Sequence, residues 1–355
     1  MRYLLVLLIL ISYQDLHSQG LTYARNIVDT LAGPTMKGRG YVDNGVGLAA
    51  EYIAAEFDRL GVEKLSKNYF QTFEVPVNAF PGKMEMTVNG TKLIPGRDFL
   101  VEATSPGISG TYNVASLTHS DLLNRKVWIP KVRSATDKFL VIDSRDTVDR
   151  STEEKKAINE IIGFLKYHPE NPAKGTVIIT NDKLTWGGAT QVFTKPSFTI
   201  RSEAVKEEVT SIQLDVENHF YEAYEMNNVV GMIEGHNPDS VLVFSAHYDH
   251  IGMMGSSAIF PGANDNASGV AMLLNLAKYY SVNKPKHSIV FMAFAGEEIG
   301  LLGSTYYTEN PLFPLSKIKF MMNFDLAGTG DDGIQIVNGS VFKDELDLMR
   351  EINKS

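Results

Sequence analysis

From Asn227 onward the chain alternates short apolar runs with stretches of helical periodicity, and this alternation limits the architectures open to it. "NVVGMI" and "VLVFSA", joined by the turn-like "EGHNPDS", read as strands, as do "IVFMAFA" and "FMMNFD". Between them a helix spans about 268–280, with Val270, Leu273, Leu274, Ala277 and Tyr280 on one face. "IGLLGSTYY" reads as another helix, and "FKDELDLMREI" as a last one. Apolar strands alternating with helices predict an α/β fold, with a mixed, largely parallel sheet and helices on both faces.

Upstream, "NGVGLAAEYIAAEFDRLGVEK" is helical, with Val46, Ala49, Ile53, Phe57 and Leu60 on one face and Gly61 placed to end it. Between about 80 and 209 the texture changes. "MEMTVNGTKLI" predicts a hairpin through Asn89–Gly90, and "KVWIP", "KFLVID" and "GTVIIT" read as short strands around one amphipathic helix, "EEKKAINEIIGFLKY". The expected organisation is an export signal over 1–19, an N-terminal part of the main domain over 20–79, a mostly β inserted domain over 80–209, and the rest of the main domain over 210–355. The signal reading rests on Arg2 followed by the apolar stretch Leu4 to Ile11 and then polar residues. It predicts an exported protein, periplasmic or extracellular, with no membrane partner beyond that segment.

Net charge is -9 and no block of Lys or Arg appears, which disfavours nucleic acid and anionic membranes as partners. There is no cysteine. Disulfides are therefore excluded, and any zinc site must be built from His, Asp and Glu, as catalytic sites are.

In open α/β sheets functional groups gather at the carboxyl ends of strands. Here "VLVFSA" runs into His247, Tyr248 and Asp249, "IVFMAFA" into Glu297 and Glu298, and "FMMNF" into Asp325, while "PGANDNASG" sets Asp265 just before a helix. Taken singly, each has an ordinary explanation. The Glu pair could sit at the positive end of a helix, and Ser268 could cap the helix after "NDNA". Taken together, one imidazole and five carboxylates at one sheet edge would repel strongly without a cation. An oxygen-rich set with a His suits Zn²⁺ or another divalent first-row ion, and two metals sharing a carboxylate would neutralise that many acids.

"SAHYDHIG", "PGANDNASGVAMLLNLA", "FAGEEIGLLGS" and "NFDLAG", in this order, resemble the co-catalytic zinc aminopeptidase family, whose relatives include glutamate carboxypeptidase II, glutaminyl cyclase and the non-catalytic transferrin receptor. The resemblance covers 227–330 and, more weakly, the helix near 44–60. It implies a zinc exopeptidase fold, two zinc ions and peptide substrates cleaved at their N-terminus. It further implies that His247 and Asp325 hold one zinc, Glu298 the other, and Asp265 bridges both. Asp249 would accept the second ring N–H of His247, and Glu297 would be the general base. Region 80–209 stands where many relatives carry an inserted protease-associated or lid-like domain. Relatives supply a further His ligand on a loop well after the "NFDLAG" strand, whereas here no His follows Asp325. The expectation is therefore a partial sequence whose second zinc site is one ligand short, with His250 the conceivable substitute. The alternatives are a single-zinc enzyme like glutaminyl cyclase and a non-catalytic binding ectodomain on the same scaffold.

Overall fold

A computed structural model describes residues 20–146, 148–330 and 333–354; the segment read as an export signal lies outside them. The apolar runs form a six-stranded sheet. Its path runs Glu63–Lys64, His219–Ile233, His287–Phe294, Asn237–His247 and Ile318–Asn323, with Phe70–Ala79 also paired to His219–Ile233. Asn237–His247 is parallel to both of its neighbours, and the remaining pairs are antiparallel. The sheet is thus mixed, and its parallel half carries the strand-end acids. The two strands flanking "EGHNPDS" are not neighbours, because His287–Phe294 lies between them.

Side chains on a strand alternate between faces, and here both faces are covered. Ile289, Phe291 and Ala293 pack on one side with Ile53 and Phe57 of the helix Gly45–Leu60 and Val270 and Leu274 of the helix Ser268–Val282. Val290, Met292 and Phe294 pack on the other with Val241, Val243 and Tyr307 of the helix Leu302–Glu309. Burial on both faces is why His287–Phe294 and the stretch 240–247 read as unbroken apolar runs, whereas the edge strand Ile318–Asn323 alternates between half-buried and exposed residues. No helix among the described residues is long and apolar enough to cross a membrane.

A second, eight-stranded sheet forms a lobe. Its order is Thr91–Leu93, Met84–Val88, Ser211–Val216, Ile108–Thr118, Phe139–Asp143, Gly175–Thr180, Ser197–Arg201 and Phe99–Val101. It therefore draws on residues on either side of position 209. Asn89 and Gly90, both with positive φ, close the hairpin that pairs Val88 with Thr91. The helix Thr152–Tyr167 starts at a capping box of Ser151 and Glu154.

Two local expectations are corrected. "KVWIP" lies not in a strand but in the helix Arg125–Arg133. Asn124 accepts the Lys126 N–H as a cap, and Trp128, Val132 and Ala135 pack onto Leu122 and Leu140, so tertiary burial outweighs β propensity. The helix expected from Ile299 begins only at Leu302, because Gly300 and Leu301 hold positive φ. Glu297 and Glu298 therefore lie in a turn, outside the first turn of that helix, and its dipole does not explain them.

The lobe and the main sheet share a contact close to the strand ends. After His250 the chain forms a small hairpin, Met253–Met254 with Ala258–Ile259, and Met254 is fully buried in the lobe's core beside Phe80. Phe260 then stacks on Trp186 of the lobe at 4.9 Å.

Candidate metal centre

Strand register brings the acids to one edge. His247 pairs with Phe294 in the parallel ladder, so Gly296, Glu297 and Glu298 emerge where His247 does. Ser245 pairs with Asn323 on the other side, and Phe324 donates its N–H to the Ser245 carbonyl, so Asp325 emerges there too. Asp265 arrives from the turn Ala263–Ala267 that leads into the helix Ser268–Val282. Gly269 permits the docking of that turn, since a Cβ there would lie 2.4 Å from the Phe324 carbonyl oxygen.

His247 Nε2 lies 3.2 Å from Asp265 Oδ1 and 3.4 Å from Asp325 Oδ1, and Glu297 Oε2 is 4.0 Å from the same nitrogen. Ligand atoms about 2.0–2.2 Å from a tetrahedral zinc stand about 3.3–3.6 Å apart, close to both distances from His247, and all three donors lie within 4.8 Å of one another. A second group, His250, Asp265 and Glu298, brings its ligand atoms within 4.8 Å of one another and shares Asp265 with the first. His250 Nδ1 is 2.6 Å from Glu298 Oε1, a hydrogen-bond distance shorter than ligand spacing. The donor set, one imidazole with carboxylates in each group, suits zinc.

Asp249 is fully buried, and its carboxylate accepts the N–H of Glu297 at 3.2 Å and that of Glu298 at 3.3 Å. Nδ1 of His247 is 3.7 Å from Asp249 Oδ1 but 3.2 Å from the Asp249 backbone carbonyl. The carboxylate thus anchors the glutamate turn, while the main-chain oxygen is the nearer partner of the ring.

The acids act on one another and on the ring. Burial alone would lower the His247 pKa, but Asp249 and Asp265 outweigh it and push it up to about 11. The hydrogen bond from His247 holds the Asp265 carboxyl below the usual range. Glu297 is raised, first by burial and then, against the His247 charge, by Asp249, Glu298 and Asp325.

Two residues that the sequence did not single out hold these loops. Arg39 is fully buried. Its Nε donates to the Tyr248 carbonyl (2.7 Å), Nη1 to Leu31 and Pro261 (2.8 Å each), and Nη2 to Gly262 (2.7 Å) and Asp265 (3.2 Å). Burial lowers its pKa to about 10 against the pull of Asp249, Asp265 and Glu298. Desolvating a guanidinium costs several kcal/mol, offset only when its donors are all satisfied, as here. Asn266, also fully buried, donates to the Phe324 carbonyl at 2.9 Å and accepts the Gly269 N–H at 2.9 Å, tying the Asp265 turn to the strand before Asp325. A lone Arg in "KGRG" carries no sequence signal of this role, and Asn266 within "PGANDNASG" reads only as part of a turn.

Fold and site together define an α/β protein with a candidate metal centre at the ends of its parallel strands. Residues 228–354 match the model of peptidase family M28. A probable zinc metalloprotease of Pyricularia oryzae is 40% identical over 114 residues, covering 31% of this chain and 23% of that protein. The match thus spans about a quarter of that relative's length. Among solved structures, a zinc aminopeptidase from Bacillus subtilis superposes with a TM-score of 0.59 at 18% identity, covering 88% of this chain and 70% of that one. A peptidase M28 precursor from Shewanella amazonensis does so at 0.59 and 19%, covering 88% and 74%. At these identities the structural likeness establishes the fold.

Proposed function

We propose that this protein is an exported, zinc-dependent aminopeptidase that removes N-terminal residues from peptides. The observation that carries the reading is the convergence of His247, Asp265 and Asp325 at the spacing of ligands to one zinc, with Glu297 facing the same point. His247, Asp265 and Asp325 would hold one zinc, and Asp265 and Glu298 a second, with His250 steadying Glu298. Zinc held there would supply Lewis-acid polarisation of the scissile carbonyl and a more acidic water.

The chain's own groups do the rest. Glu297, partly shielded and raised in pKa, accepts a proton from the attacking water and delivers it to the leaving amine. Asp249 fixes the turn that aims it, through the two amides. The preference for N-terminal cleavage is supported by the named activity of the Bacillus subtilis relative. Export is supported by Arg2 and the apolar run after it.

The test is zinc titration of the metal-depleted protein, with hydrolysis of aminoacyl and N-blocked peptides followed in parallel. Tight zinc binding with cleavage only of free N-termini is expected. Zinc bound without hydrolysis would support the binding ectodomain, and cyclisation of N-terminal glutamine without peptide cleavage would support the cyclase.

A further inference from the structure

We infer that Arg39 is a positioning residue that sets the spacing of the metal ligands from outside the centre, by clamping the main chain of the two loops that bear His247 and Asp265. The inference rests on the metal reading above. A guanidinium has five N–H donors in a rigid plane, and here they reach five carbonyls on three stretches of chain. Tyr248 lies between His247 and Asp249. Pro261, Gly262 and Asp265 belong to the turn that presents the shared carboxylate. Leu31 belongs to the helix over 20–31, far from both in sequence.

The clamp is reinforced from the segment that carries it. The Arg39 carbonyl accepts the His250 N–H at 3.2 Å, and the Gly38 carbonyl accepts that of Gly252 at 3.1 Å. Gly40 lies so close that a Cβ on it would come within 2.4 Å of the Gly252 Cα. Arg39 itself holds a left-handed φ of 53°, which aims its side chain beneath the strand ends. Such a φ is uncommon for a residue of this size. Buried, planar and oriented, this group fixes where Asp265 stands relative to His247, and so whether the donors near 3.2–3.4 Å fit one ion. Its positive charge also sits against Asp249, Asp265 and Glu298, which lets those acids approach before an ion arrives.

Arg39→Lys separates the fork from the charge, because lysine keeps the charge but has three donors on one nitrogen. Zinc affinity should fall by about 10–100-fold, the usual effect of losing a group that orients ligands. In the cobalt-substituted protein the visible absorption band should shift. kcat should drop by at least about tenfold with KM within about twofold, since the substrate is not touched. Ile158→Ala, in the core of the lobe, serves as the control. It should lower thermal stability while leaving zinc affinity and the cobalt spectrum unchanged.

Amide exchange in the wild-type protein tests the coupling without any substitution. Zinc should slow exchange of the His250 and Ala267 amides, which bond to the Arg39 and Gly262 carbonyls, by at least about tenfold if clamp and metal share one geometry. Exchange at both sites unaffected by bound zinc overturns the inference, and so does an Arg39→Lys protein with wild-type zinc affinity and cobalt spectrum. A wild-type protein that binds no zinc overturns the metal reading itself, and this inference with it.

Discussion

Asp249→Asn tests whether one buried carboxylate holds the Glu297–Glu298 turn. The two amides reach different oxygens, Oδ1 at 3.2 Å and Oδ2 at 3.3 Å, in a side chain without solvent exposure. Asparagine is nearly the same shape but offers one oxygen and one NH₂, so in either orientation one amide faces a donor. A hydrogen bond to a charged group contributes about 1.5–3 kcal/mol, and a buried N–H without an acceptor costs about 1–3. Both figures describe the same lost contact, so the expected loss is about 2–3 kcal/mol rather than their sum. Relief of repulsion among the remaining acids acts the other way in the metal-free protein, so the zinc-loaded form should show the larger loss. Urea unfolding with and without zinc measures both. The loosened turn should also weaken zinc by about 10–100-fold. If stability and zinc affinity stay at wild-type levels while the Glu297 and Glu298 amides remain protected from exchange, the carboxylate is not what holds the turn and the reasoning fails.

Glu297→Gln should keep zinc and fold while lowering kcat by about 10²–10⁴, whereas Glu298→Gln should lose metal; equal zinc loss in both, measured by metal analysis, would show the roles misassigned. Met254→Ala removes a fully buried side chain from the core of the lobe and should cost about 2–5 kcal/mol, read by urea unfolding through the fluorescence of Trp128 and Trp186, both in the lobe. Acid should loosen the lobe as well. Arg145 hydrogen-bonds Asp143 and Arg150 does the same for Asp146, holding both carboxyls below the usual range. A depressed folded-state pKa gives stability that is complete above the unfolded value, about 3.9, and is lost as pH falls below it. Urea unfolding followed by tryptophan fluorescence should therefore show a steep loss of stability below about pH 4.

The sequence alone determined those parts of this protein that depend on period and residue type. Runs apolar on both faces required covered strands, Asn89–Gly90 required a hairpin turn, and acids at the ends of "VLVFSA", "IVFMAFA" and "FMMNF" marked the edge where His247, Asp249, Asp265, Glu297, Glu298 and Asp325 stand together. "KVWIP" has the composition of a strand but folds as a helix, because a cap at Asn124 and the packing of half-buried Trp128 and buried Val132 outweigh a propensity of tenths of a kcal/mol. Tertiary structure decided the rest. Only the ladder that pairs His247 with Phe294 and Ser245 with Asn323 shows that three separate strand ends share one level. Only packing shows that the Asp249 carboxylate accepts from the glutamate amides as well as facing the histidine ring, and that Arg39, 208 positions before His247, holds the loops that bear His247 and Asp265. Periodicity and residue type are local and survive in a linear string. A buried charge acts through carbonyl oxygens that every residue possesses, so its partners leave no mark on the sequence until the chain is folded.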